Sequence, residues 1–546
     1  MRESVQSSLL LAFAASFLFC CAAKEARPAT GDESATKIYV DASSGADVNP
    51  GTSSRPLQTV RRAAQVAMVN YRSGASTTIV INPGTYRESI ELEGTGAGST
   101  ASIALEAARS GTVIITGSDL SAGWEPDPSN PTRYTHAWPS RSGPCDIPAN
   151  FPAMPEIVRR QEMVFVNGVL LNQVLSLSQM AEGSFFVDDG NGRVFVWAPA
   201  GTKIPSAEVQ IAVRPQLLVA RRMSQLVLRG LIFEHASTCV SMKPHTAVAI
   251  IGGSNHLVED CRFEWNNWFG FVYNGVSHSA ARRIIANHNG ASGIAGSQLK
   301  DVTYENVETS YNNWRGALGQ FYGWDIAGAK FLEIHGGLFK NFKAVGNQTR
   351  GLWFDSDNVN VTVDAAFLSQ NLTGGLFLEA NPGPIVVKNS RICDNGAEGI
   401  VTNNSEATTL ESNVLYNNKG AQIFVNGRAK SRTARNWETN SEYVTVARKW
   451  TLMGNVIVAG DASQLLFENY ENNAESSRLF FSSLVSDNNT WYSSQTSRVF
   501  QLDSGGPGHQ ARNVALKDWQ SATGQDRNSV FVPPSDNLKK SCELSQ

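Results

Sequence analysis

Three words of one form recur between Gly351 and Asn404: Gly351-Leu-Trp-Phe-Asp355, Gly375-Leu-Phe-Leu-Glu379 and Gly399-Ile-Val-Thr-Asn403, at intervals of 24 residues. Each is followed by an apolar run and an Asn-rich turn. A fixed period in the twenties is the signature of a solenoid. The runs are β-branched and broken by Asn and Gly, without the leucine spacing of a leucine-rich repeat, so each period suits one coil of a parallel β-helix. Coils stack as parallel strands about 4.8 Å apart, which sets residues at equal offsets directly above one another. Asp355 and Glu379 share an offset of four and are expected side by side on adjacent coils.

Extending the pattern upstream gives Gly270, Gly293 and Gly316 as further repeat glycines, with one long step of 35 residues from Gly316 to Gly351. The excess is expected within residues 322–348, an excursion carrying Trp324, Asp325, Lys330 and His335. Long excursions from a regular scaffold tend to be functional. Alternation along each strand turns Leu352 and Phe354 inward and Trp353 and Asp355 outward, with Phe377 and Glu379 beside them. The outward column then reads Asn274, Ser297, Gln320, Asp355, Glu379, Asn403, polar throughout and acidic only in the middle.

Two ionised carboxylates at that spacing repel by about 3 kcal/mol at an effective dielectric of 20, which favours one protonated acid beside one ionised neighbour. Glycoside hydrolysis with retention uses such a pair, with carboxyls about 5 to 5.5 Å apart. Trp353 and Phe377 would offer aromatic faces for a sugar ring, with Trp324, Asp325, Lys330, His335, Gln320 and Asn403 as further substrate contacts. Alternatively the acids are a hydrated face, or Asp355, Glu379 and Asp357 bind Ca²⁺. In that case the chain would be a Ca²⁺-dependent polysaccharide lyase with Lys330 or Arg350 as base. A third class is a non-catalytic carbohydrate-binding surface protein. Hydrolysis is favoured over elimination because the column has no run of Lys or Arg to hold a polyuronate.

The remaining chain frames this solenoid. Residues 1–23, with Arg2, the apolar run Leu9 to Phe19 and Cys20-Cys21-Ala22-Ala23, have the layout of a secretory signal peptide. The run is too short to span a bilayer. Cleavage after Ala23 predicts an exported soluble protein, periplasmic or extracellular, whereas a lipoprotein reading anchors it at the cell surface through Cys21. Residues 24–36 read as a linker, and 37–119 as an N-terminal cap with the first coils. Within that cap Leu57, Val60, Ala63, Ala64 and Ala67 mark an amphipathic helix.

Residues 120–215, with short alternating strands and Asn-Gly turns, predict an inserted antiparallel β subdomain. The main helix occupies 216–505 and a looser segment 506–546. The fold expected is all-β: a right-handed parallel β-helix with a capping helix and an insertion. Of five cysteines beyond the leader, Cys239 and Cys261 lie one coil apart and are expected to stack, as a disulfide or as buried thiols. The odd count and wide spacing speak against a disulfide framework, and no Cys/His cluster has zinc spacing. With 17% charged residues, a net charge of −3 and no basic run, nucleic acid is not the expected partner.

The opening Tyr39-Val-Asp-Ala-Ser-Ser-Gly through Pro56-Leu57-Gln58-Thr59-Val60 resembles the N-terminal segment of secreted right-handed β-helix carbohydrate-active enzymes. Gly351-Leu-Trp-Phe-Asp355 and Leu376-Phe-Leu-Glu379-Ala-Asn-Pro-Gly-Pro384 resemble the paired words of the β-xylosidases of glycoside hydrolase family 120. That resemblance implies Asp355 as nucleophile and Glu379 as acid/base; no cofactor is expected unless the acids bind Ca²⁺. The chain departs from those words at Pro382, where the family has His, and at Ser356-Asp357.

Overall fold

The structure, a computed structural model, describes residues 35–96, 99–138, 143–427, 431–471, 473–503, 511–533 and 542. The leader and Cys21 lie outside them. The chain winds into a right-handed parallel β-helix whose coils present three parallel faces, single strands running across more than one face in Ile294–Glu308 and Ala327–Val345. Successive coils pair in parallel: Leu352, Leu376 and Ile400 lie in line on the first face, Val361, Ile385 and Thr408 on the second, and Phe367, Arg391 and Val414 on the third. Aliphatic and aromatic side chains fill the bore, among them Phe331, Phe339 and Phe354 in mutual contact. The helix Val60–Arg72 lays Val60, Ala63, Ala64, Ala67, Met68 and Tyr71 over the open N-terminal end.

One corner of seven successive coils is turned by a buried asparagine. Asn266, Asn289, Asn312, Asn347, Asn371, Asn395 and Asn418 are each at most 1% exposed and form a continuous ladder. The Nδ2 of Asn347 donates to Asn371 Oδ1 at 2.8 Å, and that of Asn371 to Asn395 Oδ1 at 2.9 Å. The same Oδ1 atoms accept the backbone N–H of the preceding rung. A second ladder, Asn413, Asn455 and Asn489, turns another corner. The repeat glycine follows from this packing: a Cβ on Gly351 would stand 2.7 Å from Asn371 Nδ2 and 2.7 Å from the carbonyl of Gly375.

The ladder also corrects the coil register. Gly316 is not a repeat glycine; it lies in the short helix Trp314–Leu318, and Gly328 takes its place between Gly293 and Gly351. Asn312 keeps its rung, 35 residues before Asn347, and the chain leaves the solenoid directly after it. The excursion is therefore residues 313–326, which begins upstream of the expected stretch and shares only its first residues. Trp324 and Asp325 belong to it, but Lys330 and His335 lie in the regular strand Ala327–Val345.

Between Ser118 and Ala212 the chain forms two small sheets with their own core of Val164, Phe185, Val194 and Ile211. Their pairings are antiparallel except for Asn172–Val174 with Ser184–Asp188. The cysteine expectation fails: Cys239 bonds to Cys145 of this insertion, Cys393 bonds to Cys542, and Cys261 is a buried free thiol. Cys261 faces the bore while Cys239 lies in a loop outside it, so their 22-residue separation does not stack them. Among the described residues no helix is long and apolar enough to cross a membrane.

Asn371→Ala removes two acceptor and two donor contacts from a dry corner, and each stranded group costs about 1–3 kcal/mol. We expect a loss of at least about 3 kcal/mol in urea unfolding, against a change within about 0.5 kcal/mol for exposed Asn274→Ala.

Candidate active site

The strands Arg350–Asp355 and Leu376–Glu379 pair so that Asp355 stands directly against Glu379, with Asn403 next. Upstream the column continues Leu332, Ser297, Asn274, Ile251 and Arg221. Leu332 stands where Gln320 was expected, because Gln320 sits exposed in the excursion.

Neither acid stands bare. Lys330 Nζ lies 3.0 Å from Asp355 Oδ2 and 2.9 Å from Asp325 Oδ1. Burial works against the charge on Lys330, but the two carboxylates outweigh it and hold the ammonium above the ordinary lysine range. Arg432 Nη1 reaches Glu379 Oε1 at 2.7 Å, and Asn403 Nδ2 donates to the same oxygen at 3.2 Å. These countercharges offset the repulsion that a bare stack would carry.

Trp353 and Phe377 leave the strand outward as expected, yet they are only 5% and 8% exposed. Lys330 lies 3.7 Å above the Trp353 ring, and the Arg350 guanidinium covers Phe377 at 4.6 Å. They are the buried base beneath a cationic layer rather than open sugar platforms. Trp324, half exposed, is the free aromatic surface nearby in sequence.

The strongest polar cluster at the site comes from a segment that shows no periodicity. A two-stranded hairpin, Arg432–Arg435 with Glu442–Thr445, projects from the coil that separates Asn413 from Asn455. It folds back over the acid-bearing coils and is held at Asp357, whose side chain is fully buried. Asp357 accepts from Tyr443 Oη at 2.7 Å, from the Trp437 backbone N–H at 2.9 Å and from His335 Nε2 at 3.0 Å. Both of its oxygens are thus engaged by protein donors, which corrects its candidacy as a Ca²⁺ ligand beside Asp355 and Glu379. Among the described residues no group of three or more His, Cys, Asp or Glu is gathered to hold a metal ion.

His335 bridges onward to Glu438 at 3.1 Å, and Glu438 to Lys300 at 2.7 Å. Burial disfavours the imidazolium, but its hydrogen bonds to Asp357 and Glu438 prevail and hold it above the ordinary imidazole range. Glu438, hydrogen-bonded by Lys300 and His335, is held below the usual carboxylate range. His335 therefore anchors the hairpin. Arg432, Trp437, Glu438 and Tyr443 were not found by sequence reasoning, and the 42-residue step between Asn413 and Asn455 is the signal that could have marked their loop.

The opposite edge of the acid-bearing sheet is walled by two loops, the excursion 313–326 and residues 236–245. The insertion braces both. Buried Arg315 donates to Glu162 O at 2.7 Å, Gln173 Oε1 at 2.6 Å and Asn267 Oδ1 at 2.9 Å, and the Cys145–Cys239 bridge ties the second loop. Between the walls runs a cleft of about 460 Å³, floored by Val272 and Ala295 and ending at Asp325 and Lys330 beside Asp355.

The family model described as right handed beta helix region matches residues 320–470. Among solved structures the chain is similar to XylC in complex with xylose, at 14% identity over 91% of this chain and 86% of that one, with a TM-score of 0.62. It is also similar to the A-module of the Azotobacter vinelandii mannuronan C-5 epimerase AlgE6, at 14% identity over 87% and 96%, with a TM-score of 0.50. At these identities the likeness is one of fold. No curated protein matches the chain.

The hairpin clasp predicts a pH signature. An imidazole held above its ordinary value lends stability that is complete below about pH 6.5 and is lost as pH rises through the raised value. A depressed carboxylate such as Glu438 lends stability above its ordinary value that is lost as pH falls through the depressed one. Amide exchange in residues 432–445, corrected for intrinsic rates, should be slowest in mildly acidic buffer and speed up above neutrality, and His335→Gln should flatten that rise. Tyr443→Phe should weaken the clasp by about 1–3 kcal/mol at every pH.

Proposed function

We propose that this protein is an exported glycoside hydrolase acting on oligosaccharides from plant or algal polysaccharides, with xylooligosaccharides as one substrate class and a two-carboxylate retaining mechanism. The observation that carries the reading is the in-register pair Asp355 and Glu379, beginning one coil beyond Lys330 and Leu332, which line the end of a walled cleft. Adjacent parallel strands hold such a pair at about 5 Å, the separation that retaining hydrolysis needs. The likeness to a fold solved with xylose adds support.

In this mechanism Asp355 attacks the anomeric carbon while Glu379 protonates the leaving oxygen; Glu379 then takes a proton from water as that water displaces Asp355. Lys330 supplies positive charge beside the nucleophile. Arg432 and Asn403 both engage Glu379 Oε1 and hold the carboxyl in place beside the nucleophile. Elimination from a uronate is less well served, because Lys330, held protonated by its two acids, is a poor base.

Asp355→Gly is expected to abolish turnover, and azide to restore part of it as a glycosyl azide of inverted configuration. Glu379→Ala should lose roughly 10²- to 10⁴-fold on natural substrates, less on activated aryl glycosides, with azide giving product of retained configuration. Arg432→Ala should lower turnover by loosening the hold on Glu379 Oε1, read as a fall in kcat on natural substrates. Chelator-sensitive release of an ultraviolet-absorbing unsaturated sugar would instead establish a lyase, and inactivity of the unmutated protein on every glycoside in a broad panel would leave a binding protein.

A further inference from the structure

We propose that the cleft leading to Asp355 binds an oligosaccharide bearing a carboxylate or sulfate group, received by Arg221 and Lys243. This rests on the carbohydrate reading above and narrows it.

The column that holds the acids runs on through Leu332, Ser297, Asn274 and Ile251 to Arg221, five coil steps. At about 4.8 Å per step Arg221 lies about 24 Å from Asp355 along the axis, the span of several sugar rings. Arg221 and Lys243 line the far end of the same cleft that Asp325 and Lys330 line near the acids.

The two cations differ from most others in the neighbourhood. Lys330 is neutralised by Asp325 and Asp355, and Arg222 is paired with Glu93, the acid in register with Arg221. Arg221 and Lys243 have no ion pair among the described residues. His245 stands edge-on to Phe269, and burial holds it below the ordinary imidazole range. The lining thus carries Arg221, Lys243 and Lys330 against one carboxylate, Asp325, in a chain whose net charge is −3.

Low-dielectric walls focus such a field, and a guanidinium presents a planar fork that matches carboxylate or sulfate. Exposed Asn274 along the path can accept from and donate to sugar hydroxyls, and the Ser297 hydroxyl, which donates to Glu333, can accept from them. Neutral rings would occupy the middle of the cleft and the charged ring its far end.

Calorimetric titration of the full-length Glu379→Gln protein, which cannot turn substrate over, tests this with three tetrasaccharides: neutral xylotetraose, tetragalacturonate, and a sulfated galactan tetrasaccharide. We expect one anionic ligand to bind at least about tenfold tighter than the neutral one, with an advantage that shrinks as salt rises to about 0.3 M. The ligand that gains identifies carboxylate or sulfate as the source. Adding Arg221→Ala should remove about tenfold of that preference while leaving xylotetraose binding unchanged, and adding exposed Lys243→Ala should remove part of it without risk to folding. Equal affinity for anionic and neutral ligands, or a preference indifferent to both substitutions, overturns the inference while leaving hydrolysis intact. Failure of all three to bind overturns it together with the carbohydrate reading.

Discussion

A buried amide repeated on seven successive coils sets the geometry on which everything else depends. Each inner asparagine of the ladder spends both of its functions: the carbonyl oxygen caps a backbone N–H and the amide of one neighbour, and the NH₂ group satisfies a backbone carbonyl and the next rung. An unpaired amide in that dry corner would be costly, so a coil can shift only by whole rungs. The register of the first face follows, and with it the placement of Asp355 on Glu379. The repeat glycine is part of the same device, because the next asparagine fills the space its side chain would need.

On this lattice the charges are arranged as an alternation rather than a row of acids. Asp325, Lys330, Asp355, Glu379 and Arg432 form a chain in which each acid has a basic partner. Two of those groups, Asp325 and Arg432, come from excursions rather than from coils. The balance at the centre is therefore decided by loops on opposite edges, one braced by Arg315 and the insertion, the other seated on Asp357.

Much of the lattice was legible in the sequence because its rule is local. A glycine, an alternating strand and an Asn-rich turn every 24 residues imply stacking, and stacking implies the neighbouring acids. The long coil was misplaced for a specific reason. Asn312 precedes Gly316 by four residues, the spacing that joins Asn347 to Gly351 and Asn371 to Gly375, yet the chain departs between them. The covering of Trp353 by Arg350 and Lys330 was hidden, since alternation says which way a side chain leaves a strand but not what lies over it. The hairpin and the cysteine pairs were hidden too: they join residues 53 to 149 positions apart, and no periodicity encodes such contacts.

The three long steps in the ladders, 35 residues after Asn312, 42 after Asn413 and 34 after Asn455, show that a coil closes its corner whatever length of chain is looped out before it returns. Closing a longer flexible loop adds little entropy cost. Floor and walls are thus separable inheritances: an ancestral lattice carrying one pair of acids can acquire, lengthen or exchange its flanking loops without disturbing the spacing of that pair. Diversification within such a lineage should be concentrated in the looped-out segments, with the rungs beneath them as its fixed record.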